Sequence, residues 1–412
     1  MAATIAQDIH ASAHRASHAA PLDSGARLSR ALLSYLVVLI AALRLLPFEF
    51  APPTTVRTSL DFSPIGFLAM IAMFVPYGVL TRRSRTGRVG RHAGAILLSG
   101  GLLSLVLEAA RQFEPACVAS PWHVVAAVVG AGGGAWLCDR AHANATGTAI
   151  ALHALLLQIP LMGLVYLLLP LLWASAAAAE GDPMRLGLTL SVGVMGASIV
   201  GSIARAIRAH TPDRQWWQVP LVAATWITIG MVPALRVDWR LTVACIAVVT
   251  AFAAWRGRWS APPFVERRYE APSVVAASPF MAIYCIGAGI WPGRSFRTIP
   301  LVHLGMPTSE AGLALALPLI EAGIAATVLG YMIAEFHGRS EASFAAARSR
   351  VLWWAMLILV TVEVSRSFFG FEGASLARVV LSLGAATYGA WLYHLQRDHV
   401  KVVAHRLDHH AR

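Results

Sequence analysis

The residues best equipped for chemistry are ionisable groups set inside or beside long apolar runs. Glu108 is followed by Arg111 and Gln112, and a spacing of three puts the acid and the base on one helical face. Pro47, Phe48, Glu49 and Phe50 close one apolar run and His123 opens another, so Glu49, Glu108, Arg111, Gln112 and His123 are expected at one membrane level. Charged groups in a membrane are costly and by default mark function. This set can act in three ways: as an ion pair that spaces helices, as an outward-facing polar pocket at headgroup depth for a lipid-linked glycan or lipophilic glycopeptide, or as an acid–base site. Catalysis needs an acid or base beside a nucleophile; Glu108 and His123 are the only motif-like candidates, and no catalytic residue is assigned.

Other reactive residue types are less organised. Glu321 and Glu335 are fourteen residues apart, close to four helical turns and so near one face; Glu321, in mid-span, demands a partner that the sequence does not identify. His10, His14 and His18 recur every four residues and would chelate a metal on a helix, but this polar segment reads as a solvated tail, and neither metal nor cofactor is assigned. Cys117, Cys138, Cys245 and Cys285 fall singly, without the spacing of a zinc or redox site. The run Gly130, Ala131, Gly132, Gly133, Gly134 lacks the Lys and Ser or Thr of a phosphate loop and suits close helix packing.

The elements that must position these groups are transmembrane helices. The chain of 412 residues is 57% apolar and 13% charged, with a mean hydropathy of +0.62, and its apolar runs are long and do not alternate. Only helices and closed barrels satisfy every backbone group in hydrocarbon, and a helix needs about 20 apolar residues to cross it. Such windows predict twelve spans, at 29–46, 62–81, 93–112, 121–140, 148–172, 186–206, 218–234, 240–255, 274–291, 311–335, 350–369 and 374–396. The fold class is therefore all-α, a polytopic helical bundle.

The net charge of +12 is almost all arginine, Lys401 being the one lysine, and it lies in short loops. That is the positive-inside pattern of a multi-pass cytoplasmic (inner) membrane protein, not a nucleic-acid stripe. Loops 82–92, 203–217, 256–272 and 337–350 and the tail all fall on one side, which makes both termini cytoplasmic and membrane lipids the immediate partners. Loop 292–310, with Arg294 and Arg297, is discordant. Residues 1–28 show no cleavage signal, so the first span reads as an uncleaved anchor.

Sliding the chain by 255 residues lays 108–137 on 363–392 with 12 identities, where composition alone would give roughly 3. Glu363 and Arg366 thus repeat Glu108 and Arg111. The third and fourth spans map onto the eleventh and twelfth, an even displacement, so the four-helix copies are parallel. The expected organisation is a tail at 1–28, a four-helix unit at 29–140, a middle unit at 141–257, a second, degenerate copy at 273–396, and a tail at 397–412.

Pro47 to Phe50, then Phe74, Val75, Pro76, Tyr77 and Gly78, then Glu108, Gln112 and Phe113, then Gly130 and Ala131, resemble in order and spacing the four-helix pattern of the VanZ-like family, over about 110 of the 412 residues. The resemblance implies a multi-spanning envelope protein of the kind named from a low-level teicoplanin resistance factor. This chain departs from the pattern at His123, where the family usually has Asp, at Ala127, usually Asn, and at Cys117, usually Arg; the second copy has Arg378 at the Asp position. What the resemblance then implies is a non-enzymatic binding or structural role. A secondary transporter is the first alternative, since twelve spans and repeats suit alternating access, although residues 78–88 lack the acid of the major-facilitator loop signature. A membrane-embedded enzyme acting on a lipid headgroup is the second.

Overall fold

The computed structural model describes residues 24–46, 48–52, 57–84, 93–115, 117–145, 149–180, 182–210, 218–258, 270–291, 296, 302–303, 313–341, 343–369 and 373–410, and of 141–145, 149–162, 203–210, 218, 270–273, 303, 313–315 and 403–410 the backbone alone. The described residues form a bundle of twelve α-helices: α1 (Ser24–Arg44), α2 (Pro64–Ser84), α3 (Ala93–Arg111), α4 (Pro121–Ala145), α5 (Ala149–Ala177), α6 (Leu186–His210), α7 (Gln218–Met231), α8 (Trp239–Arg258), α9 (Glu270–Ile290), α10 (Leu313–His337), α11 (Phe344–Phe369) and α12 (Leu376–His410). Each expected span falls on one of them. Among the described residues nine helices are long and apolar enough to cross a membrane, and shorter apolar stretches occupy Gly163–Ala177 of α5 and Val274–Ile290 of α9. α12 is not among the nine: it carries Arg378 in its first turn and runs on through His410 in a charged sequence. The seventh span tightens into a 3-10 turn at Val232–Arg236, because Pro233 cannot donate to the preceding turn.

Two helix crossings are built on glycine. In the first, α2 lies so close to α4 that a Cβ on Gly78 would stand 2.0 Å from the Ala131 carbonyl oxygen, and one on Gly134 2.0 Å from that of Val75. In the second, between α10 and α12, a Cβ on Gly330 would meet the Ala386 oxygen at 1.9 Å, and one on Gly389 the Thr327 oxygen at 1.9 Å. Small residues let helix backbones meet where lipid supplies no hydrophobic drive. Ala131 with Ala386 and Gly134 with Gly389 are pairs 255 residues apart, so the parallel repeat extends from sequence to packing. Gly330 stands where Gly78 does, although the accompanying Pro76 is replaced by Val328.

The repeat reaches the connecting segments. Thr58 bridges Ala119 in parallel, and the short strands β1 (Val302–His303) and β2 (Ala374–Ser375) pair in parallel with Val302 opposite Ala374. Between the units, α5 is a central pillar touching α6, α7, α10 and α12. Leu164, Leu167, Leu168, Leu171, Leu172 and Trp173 are buried in it, and the Trp173 indole N–H donates to the Ile229 carbonyl at 3.1 Å. Conversely α3 and α11, which the repeat equates, turn large apolar side chains such as Leu98, Leu102, Trp353 and Leu357 outward, as lipid-facing helices must.

Candidate functional site

Glu108 lies in the last turn of α3, buried, where α1 ends and α4 begins. Its Oε1 accepts from the Arg44 guanidinium, which closes α1, and lies 3.1 Å from His123 Nδ1 in the first turn of α4. Arg111 Nη1 sits 3.5 Å from both carboxylate oxygens, and the Ser120 backbone N–H donates to Oε2 at 2.8 Å. Arg44 Nη2 is also 3.1 Å from His123 Nδ1. One carboxylate thus gathers two guanidiniums, an imidazole and the amide that precedes α4, tying three helix ends together. A buried charge is tolerable only when paired and hydrogen-bonded, and this one is. The side chains of Arg44, Arg111 and His123 keep 14–16% exposure, which puts the cluster at the edge of the bundle.

The remaining expected pocket residues sit beside this cluster with other tasks. Gln112 clamps the cap, the connection between α1 and α2 that carries Arg57 and Leu60: its Oε1 accepts from the Arg57 backbone N–H at 2.9 Å and its Nε2 donates to the Arg57 carbonyl at 3.0 Å. The Glu49 backbone N–H donates to Glu114 Oε1 at 3.0 Å, and the Ala51 N–H to the Phe113 carbonyl at 2.7 Å. Phe48 takes φ 68°, a left-handed conformation costly for a non-glycine residue, as the chain turns out of α1. Pro47 lies outside the described residues. Pro76 and Gly78 are buried in α2, and a Cβ on Gly130 would stand 2.6 Å from the Ile71 carbonyl oxygen, so these motif residues belong to the helix crossing and not to the charged cluster.

The second unit carries the same clasp. Glu363 Oε1 is 3.2 Å from Arg366 Nη1 and 3.6 Å from Arg378 Nε, and Oε2 accepts from the Ser375 N–H at 3.0 Å. Glu108 with Glu363, Arg111 with Arg366, Ser120 with Ser375 and His123 with Arg378 are all displaced by 255 residues. Glu321 of α10 finds the partners that the sequence left open: Arg185, from the turn before α6, at 2.5 Å and the Tyr284 hydroxyl of α9 at 2.5 Å. Glu335 pairs with Arg339 at 2.7 Å. Tyr284, Cys285, Glu321, Glu363 and Arg366 border a cavity of about 40 Å³ among α9, α10, α11 and α12.

Sequence reasoning missed Arg44, Ser120 and Arg185. A cation at the end of an apolar run was the available signal for Arg44. The four cysteines are half-buried and unbridged, and no group of three or more His, Cys, Asp or Glu side chains among the described residues could hold a metal ion. His10, His14, His18, Arg294 and Arg297 lie outside the described residues. Compared with known proteins, the chain matches no family model, no curated protein and no solved structure.

Proposed function

We propose that this helical membrane protein is a non-enzymatic envelope component of the VanZ-like type, whose first unit offers the Arg44–Glu108–Arg111–His123 cluster, at the outer surface of the cytoplasmic membrane, to the polar end of a lipid-anchored ligand. A lipid-linked glycan is the first candidate and a lipophilic glycopeptide the second. The observation that carries this reading is the imbalance at Glu108: two arginines and a histidine surround one carboxylate at the partly exposed meeting point of three helix ends. A spacer needs one cation. The excess supplies guanidinium donors suited to phosphate or carboxylate, and guanidinium binds such groups through paired, directional bonds.

A second reading rests on saturation. Both oxygens of Glu108 are already engaged by the protein, and the same clasp recurs at Glu363, so the cluster can serve as a helix clasp alone. One experiment separates the two. Arg111→Gln leaves Arg44, His123 and the Ser120 N–H on Glu108 and removes one ligand-facing guanidinium. The binding reading expects altered glycopeptide susceptibility or envelope phenotype at unchanged protein abundance. An unaltered phenotype at unchanged abundance leaves only the clasp.

A further inference from the structure

The repeat and the cavity, taken together, locate a second polar site that the ligand reading above does not use. Ala288 lies as far before Val302 as Arg44 lies before Thr58, fourteen residues in each case, and Val302 and Thr58 are the bridge partners of the equivalent residues Ala374 and Ala119. By this register Ala288 of α9 occupies the place of Arg44 of α1. In the first unit the Arg44 guanidinium fills the space against the glutamate; in the second, Ala288 lines the cavity beside Glu363 and Arg366. The cation that Ala288 cannot provide comes from α12 instead, through Arg378 on Glu363. The charge has been replaced and the volume has not.

That volume has the size and chemistry of a water site. About 40 Å³ admits a few water molecules, each needing roughly 10–15 Å³ and two to four polar partners. Among its mostly apolar lining stand Glu321 of α10 and Glu363 of α11, together with Tyr284, Ser382 and Arg366. Both carboxylates are buried, at 3% and 7% exposure. Charges so far from bulk solvent make any hydrogen-bonding capacity that the protein leaves unfilled expensive. Wholly apolar cavities stay dry, whereas those walled by such groups hold water.

We infer that the cavity is a hydrated site in which ordered water replaces the missing Arg44-type guanidinium and joins the Glu321–Arg185–Tyr284 cluster to the Glu363–Arg366–Arg378 cluster. Through it the turn before α6, in the middle block, and the C-terminal unit share one polar contact inside the membrane.

The test turns on sign. In the purified full-length protein, Ala288→Leu fills the space with apolar atoms. It displaces water from the ionisable residues of the lining and lowers the thermal unfolding temperature by several degrees, whereas Ala288→Asn, which brings its own donors and acceptors, holds it near wild type. If the cavity is dry, Ala288→Leu gains contacts and raises the unfolding temperature, which overturns the inference. A density map of the wild-type protein fine enough to show water decides the case in which both variants unfold early. Density within hydrogen-bond distance of Glu321 and Glu363 supports the site, and an empty cavity refutes it.

Discussion

Each glutamate that closes a four-helix unit divides its labour between two oxygens: at Glu363, Oε2 holds the Ser375 N–H while Oε1 faces Arg366 and Arg378. Glutamine in its place keeps an acceptor for the amide but leaves guanidiniums buried without a counter-charge. Removing one partner of a buried pair costs about 3–5 kcal/mol. The penalty grows with burial, and the guanidiniums around Glu363, at 5–10% exposure, are deeper than those around Glu108, at 14–16%. Glu363→Gln should therefore lower the unfolding temperature in detergent more than Glu108→Gln does; the reverse order would show that exposure does not govern these clasps. At this scale the i,i+3 partners were legible, because helical periodicity alone brings Glu108 to Arg111 and Glu363 to Arg366. Arg44, 64 residues from Glu108, and Arg185, 136 residues from Glu321, were not, since long-range pairing depends on which helices become neighbours. Gln112 was read toward the pocket on the strength of its adjacency, but it lies beyond the helix end, where the backbone turns and its amide meets Arg57.

Helices in this bundle touch through glycine, and the consequence can be measured. Added methyls at Gly78 and Gly330 point into the carbonyl oxygens of Ala131 and Ala386, backbone atoms that cannot rotate away, so the helices must separate. Overpacking of this kind costs about 1–3 kcal/mol, occasionally more, and Gly78→Ala and Gly330→Ala should each cut folded yield and thermal stability. Gly133→Ala is the internal control: nothing stands within 4 Å of its Cβ position, and replacing a helical glycine by alanine gains up to about 1 kcal/mol. Equal losses in all three variants would mean that the close crossings are not what holds α2 to α4 and α10 to α12. The glycine run at 130–134 was readable as a packing surface, and so were the spans themselves, because hydropathy over about 20 residues is a local property. Which glycines of the run face the partner was not readable, for it depends on the rotation of α4 about its axis. Gly330 went unrecognised because the motif around it had lost its proline while the backbone contact that requires glycine persisted.

At the scale of the whole molecule the two polar clusters and the cap segments lie at one end of the bundle, and the Arg82–Asp139 pair, at 2.7 Å, ties α2 to α4 at the other. Hydropathy marks which helices are apolar enough to cross but not which end faces out; only the arginine-rich loops speak to that, and by the positive-inside rule they predict the Arg82 end at the cytoplasm. The 255-residue correspondence between Glu108 and Glu363 and between Gly134 and Gly389 was legible in the sequence, while the role of α5 as a pillar touching α6, α7, α10 and α12 was not, since no repeat marks it. Orientation is the point on which the proposed outer site stands, and it can be tested at exposed positions on opposite sides. With the four native cysteines replaced by serine, Leu60→Cys places a thiol in the cap after α1, where Leu60 is 78% exposed, and Ser343→Cys places one in the exposed connection before α11. An impermeant maleimide added to intact cells should label the first and reach the second only after permeabilisation. Both sites labelled from the same side would break the alternation of the helices. The opposite pattern would leave the bundle intact but turn the Arg44–Glu108–Arg111–His123 cluster to the cytoplasm, where an extracellular glycopeptide could not meet it.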